Sequence, residues 1–202
     1  MKKSLTFKSL CALLLVAIAI FGFAGCANNG AEANIVEIPA SSCVQYLASN
    51  TTLALDQTYT YTSDYGSETF TVTSNGTVTY ASDYGSTAGT LCCAFQPTGY
   101  NGTMIFIKTS THTNYGHYQY PDYDEDNPHS GCYTAFYLSD ISSTSVTFAS
   151  AVFYTGLEAA NNPGNSYACT TCADSFDNLK SLFETYGYEA TCTAYTTTAT
   201  RN

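Results

Sequence analysis

The sequence predicts an all-β fold, an antiparallel up-and-down barrel of about eight strands with one helix in its C-terminal half. The first observation is compositional: the 202 residues include 18 Tyr and 11 Phe but no Trp, and Thr is frequent throughout. These residue types favour half-buried pleated surfaces. The second observation is a series of short segments, beginning near Asp56, that alternate polar and apolar residues between turns. A long antiparallel sheet tends to close, because closure removes its exposed edges.

The first three predicted strands alternate polar and apolar residues with a period of two, as in strands with one buried face. They are residues 58–61, 68–74 and 77–80. The pentapeptide Ser-Asp-Tyr-Gly-Ser follows two of these strands, at 63–67 and 82–86. Asp and Gly favour tight turns, so the two copies predict two turns at one end of a sheet.

The Asn-Gly pair within 74–76 predicts a hairpin between the second and third strands. A two-residue turn would divide the apolar residues between the two faces of the sheet. A three-residue loop instead places Val72 opposite Val78 and Phe70 opposite Tyr80. The sequence therefore predicts a type I turn whose glycine is left-handed and forms a bulge.

Five further strands complete the predicted barrel, at residues 89–95, 103–108, 132–138, 145–153 and 189–196. Residues 103–108 are apolar on both faces, which predicts a central position in the sheet. One helix is predicted over 173–186, with Gly187 as its C-cap. Its apolar face, at helical spacing, consists of Phe176, Leu179 and Phe183 with Leu182 beside them.

The N-terminus has a basic start, an apolar run over 10–21 and a small-residue exit, the order of a secretory signal peptide. The run is shorter than the roughly 20 apolar residues that span a bilayer. Its exit, Phe23-Ala24-Gly25-Cys26, resembles a bacterial lipobox, which implies a covalent lipid on Cys26. The alternative is an ordinary cleaved signal with a chance Cys at its end. We expect an exported protein, lipid-anchored in a bacterial cell envelope at the outer membrane or cell surface.

The predicted organisation is a lipoprotein signal peptide over 1–25, a lipidated Cys and tether over 26–55, and a barrel domain over 56–202. No helical or strand period is evident in the tether before about Asp56, although short apolar patches at 35–38 and 44–47 are expected to dock on the barrel.

The mature chain is strongly acidic. Removal of the leader takes three of the six basic residues and leaves all 16 acidic residues, so the net charge is about −13. This balance argues against nucleic acid as a partner. A chain this acidic is also repelled by anionic lipid headgroups. Contact with the bilayer is therefore expected through the acyl chains of the anchor.

Three segments of the chain carry a family resemblance. A strand ending in an aromatic pair, a Leu-x-x-Ile-x-x-Thr-Ser-Val corner and a second strand fill residues 131–152. Together with 65–72 and the predicted helix, this region resembles small bacterial lipoproteins with a lipocalin-like, or calycin-like, barrel. The resemblance covers about residues 56–196 and implies an up-and-down barrel on a lipid tether. Typical lipocalins carry Gly-x-Trp on the first strand, and this chain has no Trp, so no binding residue is carried over.

Seven cysteines remain beyond the leader and Cys26, and in an exported protein they predict disulfides. Cys92 and Cys93 are adjacent on a strand and are expected to face opposite sides, with Cys93 in the core beside Leu91 and Phe95. Cys169-Thr-Thr-Cys172 is expected to take part in a disulfide that fastens the helix to the neighbouring strands. The alternatives are a redox pair, or part of a zinc site with Cys192 and one further ligand. The disulfide candidates are Cys43, Cys92, Cys93, Cys132, Cys169, Cys172 and Cys192.

The polar connection 110–131 is the best candidate for function, because long loops in compact domains are often functional. Its acidic run matches the first positions of a calcium loop, but Asn127 and Tyr133 stand where an EF-hand needs Gly and Glu. The alternatives are a looser calcium or zinc site, or a solvated acidic surface. The metal candidates are His112, His117, Asp122, Asp124, Asp126 and His129. The candidates for ligand or partner contact are Tyr115, His117, Tyr118, Tyr120 and Tyr123.

Two non-catalytic functions are predicted, and an oxidising thiol or metal protein is kept as a third alternative. In the first, the barrel binds a small or amphipathic molecule, since eight strands enclose about one small ligand, and 110–131 lies near its mouth. In the second, the barrel is a packed scaffold and 110–131 contacts a protein partner. No catalytic residues are predicted, because no His lies in a nucleophile context, and no cofactor is expected beyond the lipid on Cys26.

Overall fold

A computed structural model describes residues 35–83, 85–114, 130–151, 153–154, 169–170, 172–192 and 196–201. Two helices and ten strands lie in these ranges. In chain order they are α1 (Ala40–Asn50), β1 (Gln57–Ser63), β2 (Gly66–Val72), β3 (Thr77–Ser82), β4 (Gly85–Phe95), β5 (Thr103–Asn114), β6 (Tyr133–Ser139), β7 (Ser145–Ser150), β8 (Phe153–Tyr154), β9 (Cys169–Thr170), α2 (Phe176–Cys192) and β10 (Thr197–Arg201).

Eight of the strands form a closed antiparallel barrel in the order β1-β10-β7-β6-β5-β4-β3-β2. Successive barrel strands along the chain are neighbours in this ring, and the pairing of β1 with β10 closes it. The short β8 and β9 pair only with each other. The barrel is therefore up-and-down, which confirms the predicted fold class. We call the end with the β2–β3, β4–β5 and β6–β7 turns the lower end. The end with the β1–β2 and β3–β4 turns is the upper end.

The predicted register of the hairpin between β2 and β3 is confirmed. Val72 pairs with Val78 and Phe70 with Tyr80 across β2 and β3. Gly76 has a φ of 85°, and its N–H donates to the carbonyl of Thr73 at 2.9 Å. The left-handed conformation explains why glycine is needed in this three-residue loop.

The two Ser-Asp-Tyr-Gly-Ser copies form turns at the same, upper end of the barrel, as predicted. In each copy the first serine pairs with the glycine across the turn, and its hydroxyl donates to the carbonyl of that glycine. The turns are neighbours, since Glu68 at the start of β2 pairs with Ser82 at the end of β3. Gly66 of the first turn lies directly against the carboxylate of Asp83 in the second.

Helix α1 is a correction to the predicted tether, because a helix occupies the segment in which no period was evident. It covers the lower end: Ala40 lies against Gly76 of the β2–β3 turn. Just after α1, the Thr52 hydroxyl donates to the Ile141 carbonyl in the β6–β7 turn at 2.7 Å. Cys43 and Leu47, one helical turn apart, are fully buried in the interior cluster of the barrel. The predicted docking of 35–38 and 44–47 is confirmed.

Helix α2 covers the outer face of the sheet. Phe176, Leu179 and Phe183 are buried, as predicted, against an outer cluster that includes Phe106 of β5 and Ala135 of β6. The Phe106 and Phe183 rings stack with centroids 5.4 Å apart. The barrel thus has two cores, one inside it and one between its outer face and α2.

The C-terminal prediction was partly wrong. Gly187 breaks the helix as predicted, with φ 75° and ψ 157°, but helical backbone resumes after it and continues to Cys192. Residues 189–192 are therefore helical, and the last strand in the described ranges is Thr197–Arg201. The cause is Tyr188, which is buried and stacks on Phe183 with centroids 4.9 Å apart. This contact keeps the chain on the outer cluster for another turn.

The strand predicted over 145–153 is also interrupted. Pairing with β6 and β10 ends with β7 at Ser150, and Phe153–Tyr154 pairs separately with Cys169–Thr170. The chain therefore leaves the barrel wall near Ala151, whose N–H still donates to the Ala135 carbonyl at 2.9 Å.

Candidate functional site

The middle of the barrel is filled by aromatic side chains. Phe70 and Phe148 stack with centroids 5.0 Å apart, and Phe136 lies 5.4 Å from both Phe70 and Tyr80. Phe70, Phe136 and Phe148 are each at most 2% exposed. Dense packing of this kind leaves little space between side chains.

A small cavity of about 70 Å³ lies above these rings, in the upper end of the barrel. It has room for a few water molecules. Seven of its ten lining residues carry a polar side-chain group, in contrast to the layer below. The lining residues are Tyr80, Ser82, Gly85, Thr87, His112, Thr113, Thr134, Phe136, Ser150 and Ala151.

A β-bulge directs the His112 side chain into this cavity. Gly89 pairs with Thr109 and Ala88 with Thr111, so Ser110 is an extra residue on β5. The extra residue reverses the alternation of faces beyond it. His112 consequently lines the cavity, is 7% exposed, and its Nδ1 shares a hydrogen bond of 2.9 Å with Thr87 Oγ1.

A second polar group lies beside the cavity, on strands β2, β3 and β10. The Tyr80 hydroxyl donates to Oε2 of Glu68 at 3.1 Å, and the Thr197 hydroxyl donates to Oε1 of the same carboxylate at 3.0 Å. Burial raises the pKa of Tyr80 to about 12. Tyr80 therefore remains a hydrogen-bond donor at physiological pH. With His112 and Thr87, it provides both donors and acceptors at this end of the barrel.

The rim above the cavity is formed by the two neighbouring turns. Tyr65, at the tip of the first, is 87% exposed. The connection that follows β5 starts from the same rim, because Asn114 pairs with Gly85, which itself lines the cavity. The upper end therefore combines a polar cavity, an exposed tyrosine and the start of the Tyr-rich connection.

His112 is a correction to the predicted polar connection 110–131. The first residues of that range continue β5 up to Asn114, and His112 is a buried strand residue, not a loop residue. The other predicted metal and contact residues lie outside the described residues: Tyr115, His117, Tyr118, Tyr120, Asp122, Tyr123, Asp124, Asp126 and His129. Among the residues that the structure describes, no three His, Cys, Asp or Glu side chains come together as metal ligands do.

A second bulge corrects the prediction for the adjacent cysteines. Leu91 pairs with Ile107 and Cys93 with Phe106, so Cys92 is the extra residue on β4. After the bulge the faces are exchanged: Cys93 belongs to the outer cluster, whereas Leu91 belongs to the interior one. Both Cys92 and Cys93 are buried. Burial raises the pKa of the Cys92 thiol well above its ordinary value.

Two other candidate cysteines come together. Cys132 precedes β6, Cys172 precedes α2, and their thiols are hydrogen-bonded to each other. Cys43 lies on the inward face of α1 and is fully buried. Cys26 and the side chains of Cys169 and Cys192 lie outside the described residues, so the predicted lipid acceptor and the CxxC pair stay predictions.

A wider groove of about 440 Å³ lies at the lower end, between the C-terminus of α1 and the β6–β7 turn. Its walls are short side chains such as Ser49, Thr52 and Ser139, and it contains no buried ionisable group among the described residues. The upper cavity is therefore the stronger candidate, since it combines burial with convergent polar groups.

The sequence contained a partial signal for this cavity. Glu68 occupies an inward position of the second predicted strand, on the face of Phe70 and Val72, and the predicted register places it opposite Ser82. An inward carboxylate is a mark of a polar interior. The sequence contains no comparable signal for the bulge that brings His112 to Thr87.

Comparisons with known proteins found no match, either among protein-family models, among curated proteins or among solved structures. Within the described ranges, neither helix combines the length and apolar content that crossing a lipid bilayer requires.

Proposed function

We propose that this chain is an exported, lipid-anchored, non-catalytic binding protein of a bacterial cell envelope, which takes a small polar ligand into the upper end of its barrel. The observation that carries the proposal is the polar cavity around His112, directly above a packed aromatic core. Buried polar groups reduce stability unless they are satisfied. A purely structural barrel would be expected to continue its apolar filling here.

The size of the cavity narrows the ligand class. Sites for drug-sized molecules are roughly 300–1,000 Å³, whereas this cavity measures about 70 Å³. The ligand is therefore a molecule of a few heavy atoms, or the polar tip of a larger one. This ligand class is smaller than the small or amphipathic molecule that the number of strands alone suggests.

The rim supports recognition of the rest of a larger ligand. Tyr65 is exposed beside the cavity, and the Tyr-rich connection starts at Asn114. Tyrosine provides a large contact area at low entropic cost. In this proposal the contacts beyond the cavity come from Tyr115, His117, Tyr118, Tyr120 and Tyr123.

The anchor belongs to the proposal as well. The lipobox-like end of the leader supports a lipid on Cys26, which would attach the protein to a bilayer at the outer membrane or cell surface. No cofactor is assigned. Calcium or zinc held by the acidic, His-containing connection is an outcome that the experiment below would detect.

A second candidate function is favoured by the aromatic core. Because the rings of Phe70, Phe136 and Phe148 fill the middle of the barrel, the fold is also a rigid scaffold. Residues 115–129 would then contact a protein partner directly. Replacing them with a short Gly/Ser link should abolish partner binding in this case, and should leave the response of His112 to small ligands intact in the first.

The experiment that tests the primary proposal records the imidazole NMR signals of His112 during titration with acetate, phosphate, ammonium and glycerol. These probes sample the charge classes that fit the cavity. We expect one class to shift the signals saturably. Thr87→Val, which removes the hydroxyl bonded to His112, should abolish the response.

Thr147→Val is the matched control. Thr147 is also a buried threonine with a hydroxyl hydrogen bond, here to Thr198 at 2.8 Å, but it does not line the cavity. This variant should respond like the wild type. Native mass spectrometry of the full mature chain adds an independent measurement, in which a bound cation or a larger ligand appears as a mass increment. The proposal is wrong if no probe shifts the His112 signals and the native mass equals the denatured mass.

A further inference from the structure

The region where the chain passes from β9 to α2 is held against the barrel at one defined point. Tyr133 and Ala173 form an isolated antiparallel bridge, with Tyr133 N–H donating to the Ala173 carbonyl at 2.7 Å and Ala173 N–H donating back at 2.8 Å. Each of these residues is preceded by a cysteine, Cys132 and Cys172. Residues at the same offset from a bridged pair lie diagonally across it on one face.

The two thiols are in contact at this bridge. The Cys172 thiol is hydrogen-bonded to Cys132, whose sulfur also lies 3.2 Å from Thr109 Oγ1. Cys132 is buried and Cys172 is half-buried. Hydrogen bonding by Cys172 lowers the pKa of Cys132, and the same contact raises that of Cys172. Each thiol is therefore the nearest described reaction partner of the other.

We propose that Cys132 and Cys172 form a disulfide bond that attaches the segment before α2 to the start of β6. This goes beyond the proposed binding function, and it assigns to Cys172 a partner other than Cys169. The bond closes a long loop, which is where cross-links restrict the unfolded chain most. It also fixes the position from which α2 begins its contact with the outer cluster.

The reaction is a thiol–disulfide exchange with an oxidised thiol compound or protein disulfide. One cysteine thiolate attacks a sulfur of the oxidant, whose disulfide breaks and releases one thiol. The second cysteine thiolate attacks the resulting mixed disulfide, forms the Cys132–Cys172 bond and releases the second thiol. The chain loses two protons and two electrons, and the oxidant's disulfide gains them.

The test maps the bond in the full chain, produced with its own leader, alkylated under denaturing conditions and digested with chymotrypsin without reductant. Cleavage after aromatic residues gives a fragment 124–133 that contains only Cys132 and a fragment 168–176 that contains Cys169 and Cys172. We expect the two fragments to be linked and to separate on reduction. A Cys169→Ser variant should retain the link, whereas its loss there would show that Cys169 is the partner and overturn the proposal.

A second experiment tests the pairing of the two cysteines independently of whether the protein is exported. Purified chain treated with oxidised glutathione should form the same link wherever the protein resides. If the link forms with glutathione but not in cells, the pairing holds and the proposed export fails. If oxidised glutathione gives no link, or gives one within fragment 168–176, the pairing itself is wrong.

Stability adds a readout that does not depend on digestion. Cys132→Ser and Cys172→Ser should each lower the urea midpoint, and the double variant should lower it no further than the larger single change, because both remove the same bond. Reductant should lower the wild-type midpoint by more than that of either variant, because both variants already lack this bond. Additive effects of the two substitutions would contradict a shared bond.

Discussion

The lower and upper parts of the barrel interior are built on the same strands but contain different chemistry. Below, Phe70 and Phe148 stack at full burial, and Leu47 of α1 joins the same cluster at the lower end. Above, His112, Thr87 and Glu68 form polar contacts around a cavity. The boundary lies at Phe136 and Tyr80, which belong to both layers. The lower part therefore provides stability, and the upper part gives up some apolar filling for polar groups that a ligand can contact.

The largest effect should come from removing a ring in the lower part. Phe70→Ala deletes a fully buried side chain that contacts both Phe136 and Phe148. We expect a loss of about 3–5 kcal/mol in the free energy of unfolding, measured by urea denaturation. A loss below about 1 kcal/mol, the typical effect of a point substitution, would mean that the aromatic layer is loosely packed, and the comparison between the two parts would fail.

Helix α1 should matter nearly as much, because it closes the lower end. Leu47→Ala removes a fully buried side chain from the interior cluster and should cost about 2–5 kcal/mol. Ala48→Ser, one position along on the exposed face, is the control and should fall within about 0.5 kcal/mol of the wild type. If the wild type and both variants unfold at the same urea concentration, α1 does not stabilise the barrel and the segment is only a tether.

In the upper part, Thr87→Val should have a smaller effect on stability. It keeps the shape of the side chain but leaves His112 Nδ1 without its 2.9 Å partner on β4. An unsatisfied buried polar group costs about 1–3 kcal/mol. Urea denaturation gives the cost, and the NMR signals of His112 report the lost contact. A cost as large as that of Phe70→Ala would show that the polar layer is structural.

The smallest effect concerns alkaline pH. Burial raises the pKa of Tyr80 to about 12 from its ordinary 10.0, so above pH 10 the unfolded state loses this proton before the folded state does. The stability associated with the neutral hydroxyl is complete below pH 10 and is lost as the pH rises towards 12. Tyr80→Phe should therefore flatten the fall in urea midpoint over this range. An unchanged slope would show that Tyr80 ionises normally and is not desolvated.

The elements predicted from the sequence are those with a local signal. The hairpin around Gly76 was predicted to the residue, because only one register keeps Val72 and Val78 on the same face. Phe176, Leu179 and Phe183 were likewise identified by helical spacing. In both cases the pattern that forms the element also determines which face is buried.

The elements that were missed depend on tertiary contacts. Helix α1 has no side-chain N-cap, and its apolar residues are stabilised by packing against the lower end of the barrel. The bulges at Ser110 and Cys92 change which residues face inward without altering the composition of either strand. The inward position of His112 could not be predicted for this reason, since this residue enters the cavity only because of the extra residue before it.

The closure of the barrel also determines the order in which it can be completed. Among the described barrel strands β1 is the first along the chain and pairs with β10, the last, so Tyr59 meets Arg201 only after the other barrel strands have been made. Until then β1 and β7 are open edges, whose unpaired backbone N–H and C=O groups favour pairing with other chains. Ring closure between the two ends of a sequence is slow, because the entropy of a long loop must be overcome first. We therefore expect β10 to protect the chain against aggregation, and truncation before Thr197 should leave β1 and β7 as two unpaired edge strands.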